Sequence, residues 1–103
     1  MLNYTKTENN GAVTVALNGR LDTDTAPGFE AALMEALPEI TELTLDMGEL
    51  SYISSAGLRV LLRLQKRLPE HLKVTRVKDS IMDIFEATGF DEILTVERDP
   101  ENA

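Results

Sequence analysis

Hydrophobic residues in this chain recur at every second position in some stretches and at helical spacing in others, and the two patterns alternate from end to end. Leu2 and Tyr4 alternate with polar neighbours over Leu2–Glu8, and Val13, Val15 and Leu17 do so over Ala12–Asn18. Asn9-Asn10-Gly11 lies between them, and Asn and Gly adopt positive φ at little cost, so the two runs predict a β-hairpin. The stretch Gly19–Thr25 leaves the strand and offers several helix-capping residues. Pro27 suits a first helical turn, Phe29, Leu33, Ala36 and Leu37 follow helical spacing, and Pro38 ends that helix. Thr41–Met47 returns to strand alternation.

A loop over Gly48–Ile53 is expected to lead into the longest helical pattern. Leu58, Leu61, Leu62, Leu64 and Leu68 form its apolar face, Arg59, Arg63, Lys66 and Arg67 form the opposite stripe, and Pro69 closes it. Leu72–Val77 predicts a further strand. Asp79 or Ser80 then caps a third helix, with Ser80 and Asp83 at capping-box spacing, Ile81, Ile84 and Phe85 on its apolar face and Gly89 just beyond its end. Ile93–Val96 can add a short last strand. The order β-β-α-β-α-β-α(-β) predicts an α/β fold, a mixed sheet of four to five strands with helices packed on it. The 103 residues suffice for one domain, expected over 1–98, with a frayed tail over 99–103. In such sheets binding loops gather at the carboxyl ends of parallel strands, and Gly48–Ser55 falls at such an end.

The net charge of −8 disfavours nucleic-acid binding, because phosphate backbones attract cationic surfaces. The charge is uneven: seven of the ten basic residues lie between Arg59 and Lys78, where Glu70 is the only acid. Such asymmetry suits orientation of a protein partner, and equally a solvated helix face. There is no cysteine, hence no disulfide or thiolate site, and no apolar run of membrane-helix length. The start Met1–Lys6 lacks the basic and apolar segments of a signal peptide. A cytoplasmic protein away from the membrane, monomeric when free and without a cofactor or metal, is the expectation.

Ser54-Ser55-Ala56-Gly57-Leu58 opens the longest helix. With Ser54 as N-cap, Ser55 occupies the first helical position and keeps its hydroxyl accessible. Arg59 follows one turn later, at the i, i+4 spacing that lets it meet a group on Ser55. Gly57 would cost about 1 kcal/mol inside a helix, so a close approach near the helix start is expected. Asp22 and Asp24 by themselves read as turn and capping residues. His71 is the only histidine, and neither a nucleophile elbow nor a P-loop nor a metal-ligand cluster occurs, so no catalytic residue is assigned.

Three segments resemble the STAS domains, and among these the bacterial anti-sigma factor antagonists: Asn18–Ala26, Tyr52–Leu61 and Phe85–Asp91. Members of that type bind an anti-sigma factor that is also a serine kinase and so free its sigma factor. Phosphorylation by the kinase breaks the complex, and a PP2C-type phosphatase resets it. The resemblance implies phosphorylation at Ser55 in preference to Ser54, and puts Asp22 and Asp24 in a loop that the family uses at its partner surface; with Ser54, Ser55, Gly57 and, from its spacing, Arg59, these are the expected partner-binding residues. Ser54 stands where the family usually has Asp, Ala56 where it has Ser or Thr, and Arg59 where it has Gly. A scaffold, lipid-transport subunit or ligand-sensing STAS module in another complex is the alternative, and would not require a modifiable serine here.

Overall fold

The computed structural model describes residues 1–100. Strands β1 (Leu2–Asn9) and β2 (Ala12–Leu21) form an antiparallel hairpin in full register from Leu2↔Gly19 to Asn9↔Ala12. Its turn is Asn10-Gly11, with φ of 53° and 87°, the two positive values a tight primed turn requires. Helix α1 (Ala26–Ala36) follows, then a short 3-10 turn, strand β3 (Glu42–Ile53), helix α2 (Ser55–Arg67) and strand β4 (Leu72–Val77). Helix α3 (Asp79–Thr88), a single helical turn α4 (Phe90–Ile93) and strand β5 (Val96–Arg98) complete the described chain.

The strands lie in the order β1-β2-β3-β4-β5, and every pair after the hairpin is parallel. Each parallel step moves one place in the same direction through a helix, so right-handed crossovers put the helices on one face. Burial agrees with that arrangement. Val13↔Leu43, Val15↔Leu45, Leu43↔Leu72 and Leu45↔Val74 are register partners and all are buried. Thr14↔Thr44 and Asp46↔Thr75 lie on the opposite face, which is polar and partly or fully exposed. Parallel sheets are usually covered on both faces, and here polar side chains replace the second cover. The helical layer closes the core with Phe29, Leu33, Leu58, Val60, Leu61, Leu64, Ile81 and Phe85, all buried.

Three expectations are corrected. First, β2 runs to Leu21 and β3 to Ile53, so the segment read as a loop over Gly48–Ile53 is strand. Register shifts between Ala16 and Asn18 and between Gly19 and Arg20 let β3 carry extra residues. They bury Met47 and Gly48 consecutively and expose Ser51 and Tyr52 consecutively, which hides the period-two signal. Second, Lys78 is the N-cap of α3 and makes no side-chain cap bond; Asp79 and Ser80 are already helical, and Asp79 pairs with Arg98. Third, the last strand is Val96–Arg98, because Gly89 turns left-handed at φ 81° and Phe90–Ile93 coils once more. Asp99, the first residue of the expected tail, is buried, and its N–H donates to Val77 O at 3.0 Å. Residues 101–103 of the expected tail lie outside the described residues.

Candidate functional site

The start of α2 is seated on the end of β2. Ser54 is the N-cap, extended at φ −97° and ψ 176°, and its N–H donates to Leu21 O at 2.9 Å. Ser54 O accepts the first helical bond from Leu58 N–H at 2.9 Å, and its Oγ accepts from Gly57 N–H at 3.4 Å. The cap hydroxyl is thus committed to the helix. Ser55, the first helical residue, is exposed, and its hydroxyl has no hydrogen-bond partner among the described residues. Gly57 faces inward: a Cβ there would lie 2.7 Å from Leu21 O, 2.8 Å from Ile53 Cγ1 and 3.0 Å from Leu21 Cγ. Close packing against β2 therefore explains this glycine.

Leu21, which receives the Ser54 N–H, is followed by a turn organised by Asp22. Asp22 Oδ1 accepts the N–H groups of Asp24 and Thr25, each at 3.1 Å. Asp22 N–H donates to Thr25 Oγ1 at 2.9 Å, and the Thr25 hydroxyl donates to Arg20 O at 2.9 Å. The main chain continues the turn into α1 through Ala26 N–H to Asp22 O at 2.8 Å. Desolvation works to raise the Asp22 pKa, but hydrogen bonds from the Thr25 backbone and side chain, the Asp24 backbone and the Arg20 side chain outweigh it and hold it low. Asp24 is exposed, and its carboxylate has no partner among the described residues. Asp22 and Ser54–Ser55 thus flank one backbone hydrogen bond, although 32 positions separate the two segments.

Arg59 lies on the exposed face of α2, one turn beyond Ser55, and makes no ion pair among the described residues. Two later members of its stripe, Arg63 and Arg67, are engaged with α1. Arg63 grips Glu30 through both carboxylate oxygens, with Nη2 to Oε1 at 2.8 Å, and Arg67 Nη1 lies 3.7 Å from Met34 Sδ. The Arg63 hydrogen bond holds the Glu30 pKa below its ordinary value, and Glu30 holds Arg63 above its own.

These two carboxylates predict an acid response. A lowered folded pKa gives stability that is complete above the ordinary values, 3.8 for Asp22 and 4.5 for Glu30. That stability is lost as pH falls through the lowered values. Denaturant titrations across the acid range should give an Asp22→Asn/Glu30→Gln double variant a shallower loss of stability with acid than the parent. Equal slopes would mean that neither carboxylate gains from its native contacts.

Two neighbours escaped the sequence reading. Tyr52 is exposed on β3 two residues before the cap, and the Arg20 guanidinium carbon lies 4.4 Å from its ring centroid. Arg20 and Tyr52 are register partners, and Arg20 Nε donates to Asp22 Oδ2 at 3.4 Å. Ser51 Oγ donates to Gly19 O at 2.8 Å and ties the same two strands together. An aromatic beside the Ser54-Ser55 pair was the available signal, but its direction depends on a bulged pairing that the sequence does not display.

A family model described as Mlab, STAS domain, matches residues 4–96. The chain belongs to the STAS domain family. The STAS match takes in the Asp22 turn, the Ser54–Leu58 junction and all of α3. BtrV of Bordetella bronchiseptica, named as an anti-sigma factor antagonist, is 34% identical over 97 residues, covering 90% of this chain and 84% of BtrV. Solved structures share the fold at lower identity. An anti-sigma factor antagonist from Mycobacterium paratuberculosis has a TM-score of 0.84 at 20% identity, over 94% of this chain and 86% of that one. The Bacillus cell fate determinant SpoIIAA in its phosphorylated form has a TM-score of 0.72 at 16% identity, over 96% of this chain and 95% of its own. Among the described residues of this STAS chain, no helix is long and apolar enough to cross a membrane.

Proposed function

We propose that this chain is an anti-sigma factor antagonist that works by partner switching. Unphosphorylated, it binds an anti-sigma factor that is also a serine kinase and releases that factor's sigma factor or other target. Phosphate on Ser55 switches binding off, and a PP2C-type phosphatase restores it. The observation that carries this reading is the division of labour between the two serines: Ser54 Oγ is occupied in capping α2, whereas the Ser55 hydroxyl is exposed and without a hydrogen-bond partner among the described residues. The name of the BtrV relative supports the same reading.

The surface beside Ser55 would comprise Asp22, Asp24, Ser54 and Arg59, with Gly57 holding the helix against β2. Phosphorylation adds roughly −1.5 to −2 charges at pH 7. A helix N-terminus favours negative charge, by roughly 0.3–1 kcal/mol at exposed sites, so the modified domain stays folded. Arg59, at i, i+4 from Ser55, would pair with the phosphate. Arg59→Ala should lower the stability of the phosphorylated form by up to about 1 kcal/mol and leave the unphosphorylated form unchanged in thermal melts. Equal effects on both forms would remove Arg59 from the switch.

The experiment that tests the function incubates the protein with purified candidate anti-sigma factor kinases of its own organism and ATP, then maps the modified residue by mass spectrometry. Phosphate on Ser55, abolished in Ser55→Ala, is the expected result. Phosphate on Ser54 alone, or no transfer from any of these kinases, would overturn the assignment.

A further inference from the structure

We propose that Arg20 and Tyr52 form a preassembled contact that selects among anti-sigma factors, favouring one that brings a carboxylate and a shallow apolar recess to the rim beside Ser55. The proposal rests on the partner-switching reading and adds the chemistry of partner choice. Tyr52 keeps 38% of its surface exposed, in contrast to the many large apolar side chains sealed in the core. Its ring is nevertheless held in place. The Arg20 guanidinium lies over it at 4.4 Å, and Arg20 is in turn held by Asp22, which the Asp24 and Thr25 N–H groups fix.

Three side chains from the ends of two strands are thereby ordered before any partner arrives. Ordering that is already present in the free protein is not lost again on binding. Tyrosine and arginine are also the residue types that most often dominate interface affinity. Within the described residues Arg20 donates only through Nε, and its side chain is 53% exposed, so its Nη groups remain for a partner's acceptor. Arg20 precedes Asp22 by two residues, and Tyr52 precedes Ser54 by two. The pair therefore continues the proposed partner surface along both strands. A partner presenting lysine or arginine at this point would meet like charge and be rejected.

The test uses the purified kinase that transfers phosphate to Ser55, without ATP, and measures its binding to the full-length protein and its variants. Arg20→Ala and Tyr52→Ala should each weaken binding about tenfold or more, and the double variant by less than the product, because the two side chains act as a unit. Arg20→Glu should weaken binding further than Arg20→Ala. Arg20→Ala should also flatten the salt dependence of the association rate, a change that loss of packing alone would not produce. Ile93→Ala, at an exposed residue of α4, serves as the surface control and should bind like the parent. Arg20→Ala and Tyr52→Ala within twofold of the parent, with Ser55→Asp still weakened, would overturn this proposal and leave the Ser55 reading intact. Unchanged binding by Ser55→Asp as well would remove the partner-switching reading itself. Tighter binding by Arg20→Glu would reverse the inferred charge of the partner and overturn the proposal.

Discussion

The form phosphorylated at Ser55 is expected to bind the anti-sigma factor several hundredfold more weakly than the unmodified protein, with the fold intact. A partner surface shaped to a neutral hydroxyl brings no group of its own to pair with a doubly charged phosphate, and the desolvated charge costs about 3–4 kcal/mol. The same group costs the free domain little. It enters at the first residue of α2, where Ser54 rather than Ser55 supplies the cap, so the helix keeps its N-terminal bond when Ser55 is modified. Titration calorimetry on the two forms measures the affinity ratio, and thermal melts should place their midpoints within a few degrees of each other. A ratio near one would leave Ser55 without a regulatory role. Collapse of the melting transition would mean that modification acts by unfolding.

Gly57→Val carries the largest expected effect on stability. A Cβ at this position would already lie within 2.7 Å of the Leu21 carbonyl oxygen, which is main chain and itself receives the Ser54 N–H. The obstacle cannot rotate aside. Replacing a helical glycine ordinarily gains a few tenths of a kcal/mol to about 1 kcal/mol in backbone entropy. Overpacking against a fixed backbone costs about 1–3 kcal/mol, and the branched Val side chain belongs at the upper end. Relief of the clash would lift α2 from β2 and lengthen the Ser54–Leu21 bond, so the Ser55 surface shifts with it. We expect a loss of about 3 kcal/mol and a midpoint lower by more than about 10 °C, with partner affinity reduced among the molecules that still fold. A melt matching the parent would show that α2 is not seated on β2 through Gly57.

The hairpin, the apolar face of α2 and the separate environments of Ser54 and Ser55 follow from residues near one another in the chain. Asn10-Gly11 accepts two positive φ values, leucines at helical spacing define a buried stripe, and a serine just before that stripe caps it; each signal acts within a turn or two of backbone. The resemblance of Asn18–Ala26 and Tyr52–Leu61 to STAS segments was likewise legible without coordinates. Tertiary structure alone decided that Gly48–Ile53 is strand, since a bulge exists only in relation to the hydrogen bonds of its partner strand, here more than 30 positions away. It also decided that Arg20 stacks on Tyr52, that Gly57 meets the Leu21 carbonyl, and that Asp79 turns from capping to pair with Arg98. Local preference selects the elements; the register between distant strands determines which side chains meet at the rim where this protein is proposed to act.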